Sequence, residues 1–355
     1  MKILIQWFQK RFSDPQVVVL IGLLTLGAIL VFWAGKIMAP IFAALVFAYL
    51  LEGLIAPMEK RGLPRSVAIG IVFSAFMLAL LAVSLIVLPL LYRQAIQISQ
   101  EIPSIATWSR DQLLLLPERY PELISARQVT ELMTVVQSEL GRLGQRILTI
   151  SVASVQMLAV FLVYLILVPL MVFFMLRDKD PLLNWFKRFL PEDYRLSAQV
   201  WHDVDRQIGN YIRGKCIEIL IVWAATTLVF AVIGLQSYVL FGFLVGLSVL
   251  IPYVGATVMT FPIAIMAYFQ WGFTAPLGYT LFAYGIIQFL DGNLLAPLLM
   301  SEAVNLHPLA IVAAVLITGG LWGVWGVFFA VPLATVIQSI LRALPAKSAN
   351  PTSAS

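Results

Sequence analysis

The chain has 355 residues, of which 61% are hydrophobic and 12% charged, with a mean hydropathy of +0.94. A soluble domain carries about 25% charged residues, so this composition excludes an ordinary soluble enzyme or binding module and requires a membrane protein. The formal charge of +5 lies in short basic clusters beside apolar runs, the pattern of loops facing an anionic membrane surface and not of a nucleic-acid-binding face. One cysteine, Cys216, cannot form an intrachain disulfide, and two histidines offer no metal-ligand spacing, so neither a metal nor another cofactor is expected.

A bilayer core about 30 Å thick takes roughly 20 apolar residues in a helix. The first twelve residues read as an interfacial helix, with Trp7, Phe8 and Phe12 at the headgroups. An apolar run from Val17 to Gly35 follows; it is too long for a signal core and lacks a small-residue cleavage site, so it is expected to be retained. A second span, Ile37 to Ala56, forms a hairpin with it, and a third covers Ser66 to Leu91. Residues 1–91 are thus a first unit of three spans. Residues 92–146 carry six arginines and six acids, with apolar positions three and four apart, and read as an extracytoplasmic amphipathic helical insertion. Residues 147–176 form the fourth span, 177–215 a cytoplasmic amphipathic segment, 216–341 a transport core with broken or re-entrant helices, and 342–355 a disordered cytoplasmic tail. A fifth span starts that core, from Cys216 to Leu235, and the apolar sequence beyond it holds room for three more.

Basic residues near span ends set orientation. Lys2, Lys10 and Arg11, then Lys60, Arg61 and Arg65, then Arg177, Lys179, Lys187, Arg188 and Arg195, and finally Arg342 and Lys347 all fall on one side, with Lys36 alone opposite. That side is assigned to the cytoplasm, with both termini there.

The segment "QVWHDVDRQIGNYIRGKCIEILIVW" brings polar pairs to the start of the fifth span. Asp203 with Arg206, Asn210 with Arg213 and Lys215 with Glu218 are each three residues apart, within reach on one helix. Two readings stand side by side: an interfacial helix anchored on anionic lipid, or a cytoplasmic gate built from Asn210, Arg213, Lys215 and Glu218.

From Ile219 to Leu341 there is no lysine or arginine, and the carboxylates are Asp291 and Glu302 alone. They lie in "QFLDGNLLAPLLMSEAVNLHPLA", residues 288–310. An ionised carboxylate in hydrocarbon costs on the order of 3 kcal/mol, so it should face protein or water. Either "LDGN" is a solvent-facing turn with Glu302 to His307 as the next loop, or helices broken there line a polar pathway. In the second reading Asp291 coordinates a cation or carries a proton, Asn293 and Gln288 hydrogen-bond a polar solute, and Glu302, Asn305 and His307 continue the path. Gly292, Pro297 and Pro308 would supply the helix breaks, together with Pro252 and Gly255 in "IPYVGA". "GGLWGVWG" places Gly319 and Gly323 at the spacing of close helix packing, with Trp322 and Trp325 as core residues.

No Gly-rich phosphate loop with its lysine is present, so no enzyme or ATP-driven pump is expected on this chain. "FSDP", "LVPLMVFFMLRDKD", "NYIRGK", "LIPYVGA", "DGNLLAPLL", "SEAVNLHPLAI" and "GGLWGVWGVFFAVPLA" follow one another in this order. Together they resemble the autoinducer-2 exporter family, and within it the PerM-type permeases of Gram-negative bacteria. The resemblance implies an all-α polytopic inner-membrane protein with about eight transmembrane or re-entrant helices. It also implies a homo-oligomer, a pentamer, embedded in the lipid bilayer. It implies export of a small polar solute such as autoinducer-2 or a related metabolite, with sodium or lithium/proton antiport as an alternative and a non-transporting scaffold as a second. Because the motif residues are densest at 288–310, the resemblance favours the pathway reading of that stretch.

Overall fold

A computed structural model describes residues 38–114, 154–188, 195–252, 254–300 and 307–343, with helical positions between 129 and 142. The expected first span, the tail beyond Ala343, and Glu302 and Asn305 lie outside the described residues. Those described are mostly helical and contain no strand.

In chain order the helices are α1 (Ala39–Lys60), α2 (Arg65–Ala82), α3 (Leu88–Leu114), α4 (Ser154–Arg177), α5 (Lys179–Lys187) and α6 (Arg195–Ile233). They continue as α7 (Tyr238–Ser248), α8 (Val254–Trp271), α9 (Ala275–Leu290), α10 (Ala296–Met300), α11 (Pro308–Trp322) and α12 (Val324–Ala343). Six stretches are long and apolar enough to cross a membrane: Ala39–Lys60, Arg65–Ile105, Val160–Arg177, Arg206–Ile233, Val254–Trp271 and Ala275–Leu299. The chain is an all-α polytopic membrane protein.

Three cores hold it together. On α1 the buried stripe Ala44, Ala48, Leu51 and Ile55 repeats every three or four residues and meets Ala68, Ile69 and Val72 of α2 and Val168, Val172 and Leu176 of α4. Alanines on the stripe let the backbones approach, as close packing between membrane helices requires. A second core gathers Val222 and Phe230 of α6, Phe241 and Val245 of α7, Ile263 and Ala267 of α8, and Tyr284 of α9. A third joins Val46 of α1 to Tyr211 and Ile212 of α6 and to Phe328 and Val331 of α12. Helix α6 therefore contributes to both C-terminal cores and ties them to α1.

Its 39 residues span about 58 Å at 1.5 Å per residue, well beyond the bilayer core. The division drawn at 215/216 falls inside this one helix, and Lys215 and Glu218 sit within its apolar part. Helix α7 folds back on it through Gly242 and Gly246. A Cβ at Gly246 would stand 2.8 Å from the Trp223 side chain and 2.9 Å from the Ile219 carbonyl, and one at Gly242 would collide with Thr227.

Two helices that continue without a break contain a wide, π-helical turn. At Val83–Val87 the N–H of Leu88 bonds the Val83 carbonyl five residues back. At Asp291–Leu295 the N–H of Ala296 likewise bonds the Asp291 carbonyl. The next residue in each case is a proline, Pro89 or Pro297. A proline in α register lacks its N–H and collides with the carbonyl four back; slipping the ladder by one residue just before it relieves that clash. Pro103, Pro169, Pro262 and Pro332 sit inside helices without such a turn, so proline permits this geometry without dictating it. The Asp-Gly at 291–292 is thus neither an exposed reverse turn nor the end of a helix.

"GGLWGVWG" also differs from its reading as one packed helix. Gly323, at φ 62° and ψ −136°, turns the chain between α11 and α12. The two helices close on each other at Gly326, where a Cβ would collide with the Thr318 carbonyl, and at Gly319, where it would lie 2.8 Å from Val327. Thr318 Oγ1 donates across the hairpin to the Gly326 carbonyl at 2.7 Å. Trp325 packs on the first core and stacks on Phe329, as its core assignment requires.

Candidate functional site

Helix α6 turns a polar stripe into the protein interior. Tyr211, Lys215, Glu218, Val222 and Thr226 follow at intervals of three and four, one face of a helix. Lys215 and Glu218 are almost fully buried, at 6% and 2% side-chain exposure. Lys215 Nζ donates to both Glu218 oxygens, at 3.2 and 3.1 Å. Taking both charges out of water is costly, and the pair persists only because each answers the other.

Against α6 pack α9, the wide turn and α10. Asp291 opens that turn, and its charge lies within electrostatic reach of both Lys215 and Glu218. The nearest positive charge to this carboxylate comes from another helix, but Lys215 is bonded to Glu218 and makes no ion pair with Asp291. Its Oδ1 is buried without a hydrogen-bond partner, and so is Nε2 of Gln288, one turn earlier on the same helix. Tyr211 Oη and Thr226 Oγ1 are also buried without partners. Buried polar atoms ordinarily find a partner, so the two unpartnered atoms of Gln288 and Asp291, one turn apart on the helix that packs against α6, mark a place where something polar could be received.

The structure unites two groups of residues that sequence reasoning had kept apart. Lys215 and Glu218, considered for a cytoplasmic gate, lie on the helix that packs against the one carrying Asp291 and Gln288, considered for the pathway. Asn293 turns elsewhere: it is exposed and donates Nδ2 to the Phe289 carbonyl at 2.9 Å, serving the ladder of its own helix. His307 is exposed, and its Nδ1 accepts the Leu309 N–H at 3.2 Å, so it caps α11, which Pro308 then starts. Arg213 donates to Asn210 Oδ1 at 2.9 Å and lies along Gly53 of α1 and Gly209 of α6. This pair wedges the joint between α1 and α6.

Pro252 falls in the break between α7 and α8, where Ile251 and Gly255 keep backbone bonds to Ser248 and Ile251. Gly255 is buried, and a Cβ there would collide with the Ser248 carbonyl, so this break is a packed corner. Gly292 faces open space within the wide turn, and Pro297 follows it.

Sequence reasoning passed over three features. Tyr211 and Thr226 were readable only as further positions on the α6 stripe, and the GxxxG at Gly242 and Gly246 was in plain view. The third is an ionic knot. Arg65 donates to Glu52 at 3.2 Å, to Glu59 at 3.2 Å and to the Leu176 carbonyl at 2.8 Å. Lys179 reaches Glu52 at 2.7 Å. The knot gathers α1, the start of α2, the end of α4 and the start of α5, whose basic residues had been counted to one side.

The AI-2E family transporter domain matches residues 2–346 of this chain. The chain is 44% identical over 345 residues, 97% of its length and 98% of the relative's, to "Putative permease PerM" of Escherichia coli (strain K12). It is 24% identical over 313 residues to "Putative transport protein YrrI" of Bacillus subtilis (strain 168), covering 87% of this chain and 88% of that one. To "AI-2 transport protein TqsA" of Escherichia coli (strain K12) it is 21% identical over 328 residues, 92% of each. With the match running almost from end to end of a polytopic helical chain, the protein belongs to the AI-2E family of transporters.

Proposed function

We propose that this protein exports a small polar solute across a bacterial inner membrane, through a path between α6 and the α9–α10 helix. The observation that carries this reading is the buried Lys215–Glu218 pair on α6, with the half-buried Asp291 on the helix packed against it and the unpartnered atoms of Asp291 and Gln288 on that helix. A structural ion pair needs two charges and satisfied neighbours; a solute path needs polar atoms free to bind and release. Autoinducer-2 or a related metabolite is the class of solute that the kinship with TqsA suggests. The basic ends of the spans support cytoplasmic termini, and the resemblance to the family supports a homo-oligomer.

The test compares solutes released by cells lacking the protein, cells expressing it, and cells expressing Asp291→Asn at matched membrane abundance. A solute that appears with the wild-type chain and falls at least about tenfold with Asp291→Asn, roughly 1.4 kcal/mol or more in transport barrier, supports the reading. Equal release in all three overturns it.

One observation favours a second reading, sodium or lithium/proton antiport. The formal charges of Lys215, Glu218 and Asp291 add to a net negative one, which a proton or monovalent cation would balance in a low-dielectric interior. Its test is cation-gradient-driven pH change in liposomes carrying the purified protein: a signal that Asp291→Asn removes supports it, and none overturns it.

A further inference from the structure

We infer that Lys215 is a shuttling charge with two seats: Glu218, where it sits in this structure, and Asp291, where it sits in a second state. This rests on the reading of the cluster as the transport site and deepens it. Whichever carboxylate the lysine leaves becomes the seat for a proton or monovalent cation, so the ligand and Lys215 compete for the same two carboxylates.

Three observations support the two seats. One buried ammonium is bonded to Glu218, and the wide turn that Asp291 opens packs against the same helix, with Asp291 in electrostatic reach of Lys215. Asp291 Oδ1 is buried and unpartnered, the acceptor that a moving Nζ would meet. And Asp291 stands on the wide turn at Asp291–Leu295; rewinding such a turn to α register rotates the residues before it about the helix axis, a motion available to no ordinary stretch of helix. The other titratable groups in reach of Glu218 are Tyr211 and Lys215 on its own helix and Asp291 opposite; Cys216 lies in reach of Tyr211.

Cys216, the sole cysteine, is partly buried beside Lys215 on α6 and reports on the local arrangement. The experiment measures its labelling rate with N-ethylmaleimide in purified protein in lipid nanodiscs, for wild type, Asp291→Asn, Glu218→Gln and Asp291→Glu. Asp291→Asn pins the lysine on Glu218. Glu218→Gln sends it to Asp291, and Asp291→Glu, with a longer reach, draws it the same way without disturbing Glu218, which keeps the test intact if Glu218→Gln fails to fold. The expected result is displacement of the rate from wild type in opposite directions, at least about threefold between Asp291→Asn and Asp291→Glu, with the difference lost on a Lys215→Met background. Displacement in one direction only, or equal rates in all variants, overturns the two seats. Because labelling needs no solute, opposite displacements in a protein that releases nothing would sink the transport reading and leave the shuttle standing; transport with equal labelling rates would sink the shuttle alone.

Discussion

Lys215 and Glu218 are each about as buried as any leucine of the core, at 5% and 2% of residue surface, and a lone charge at that depth is untenable. Lys215→Met removes the partner of a buried carboxylate, a change worth about 3–5 kcal/mol. We expect a sharp fall in thermal stability of the purified protein, and recovery of most of it in Lys215→Met/Glu218→Gln, where no unanswered charge is left on α6. Melting curves of the two variants and of Glu218→Gln form a double-mutant cycle; a double-variant loss equal to the sum of the two single losses would show that the ion pair contributes nothing. His307 gives the contrasting case. As an exposed N-cap it should respond to His307→Ala with a loss of about 1 kcal/mol or less in stability and unchanged release of solute, whereas a proton relay through it would stop release.

Among the elements, the wide turn of the α9–α10 helix is the most informative, because the proline that permits it and the carboxylate that opens it lie six residues apart. Pro297 disfavours the α register, the ladder slips ahead of it, and the turn that Asp291 opens packs against α6. Pro297→Ala restores the missing N–H and favours regular helix by up to about 3 kcal/mol. The expected outcome is a protein whose melting temperature holds or rises while its solute release falls severalfold; a variant that keeps full release would detach the turn from function. The α6–α7 hairpin behaves oppositely. Gly246→Ala pushes a methyl against the Trp223 side chain and the Ile219 carbonyl at about van der Waals overlap, and overpacking of this kind costs typically about 1–3 kcal/mol, so stability and membrane abundance should fall together.

At the scale of the whole molecule, α6 is the spine and the ionic knot at Glu52 is the clasp. The knot joins α1, α2, α4 and α5 at partly exposed residues, with Glu52 at 22%, Arg65 at 29% and Lys179 at 41% side-chain exposure. Solvent screens such contacts, so Glu52→Gln should lower global stability by no more than about 1 kcal/mol. Its effect should be local instead: faster amide exchange around residues 60–66 and 176–180 with the remaining helices unchanged. Exchange that rises evenly across the chain would show that the knot holds more than these local helix contacts.

Composition and hydrophobic run lengths determined, without any structure, that this is a multi-pass helical membrane protein, because burial in lipid depends on local apolar length alone. The same local logic marked Asp291 as worth explaining and put Lys60, Arg65, Arg177 and Lys179 at one end of the spans. Tertiary structure decided which charge comes near Asp291. Lys215 lies on another helix, and no spacing rule reports which helix faces meet. It also showed a single helix running through 215/216, an amphipathic stretch joined to an apolar one without any change of backbone. Gly323 became a turn and Asp291 part of a widened helix because those outcomes depend on the fit of α11 to α12 and of α9 to α6, and packing between helices is settled only when the whole chain is assembled.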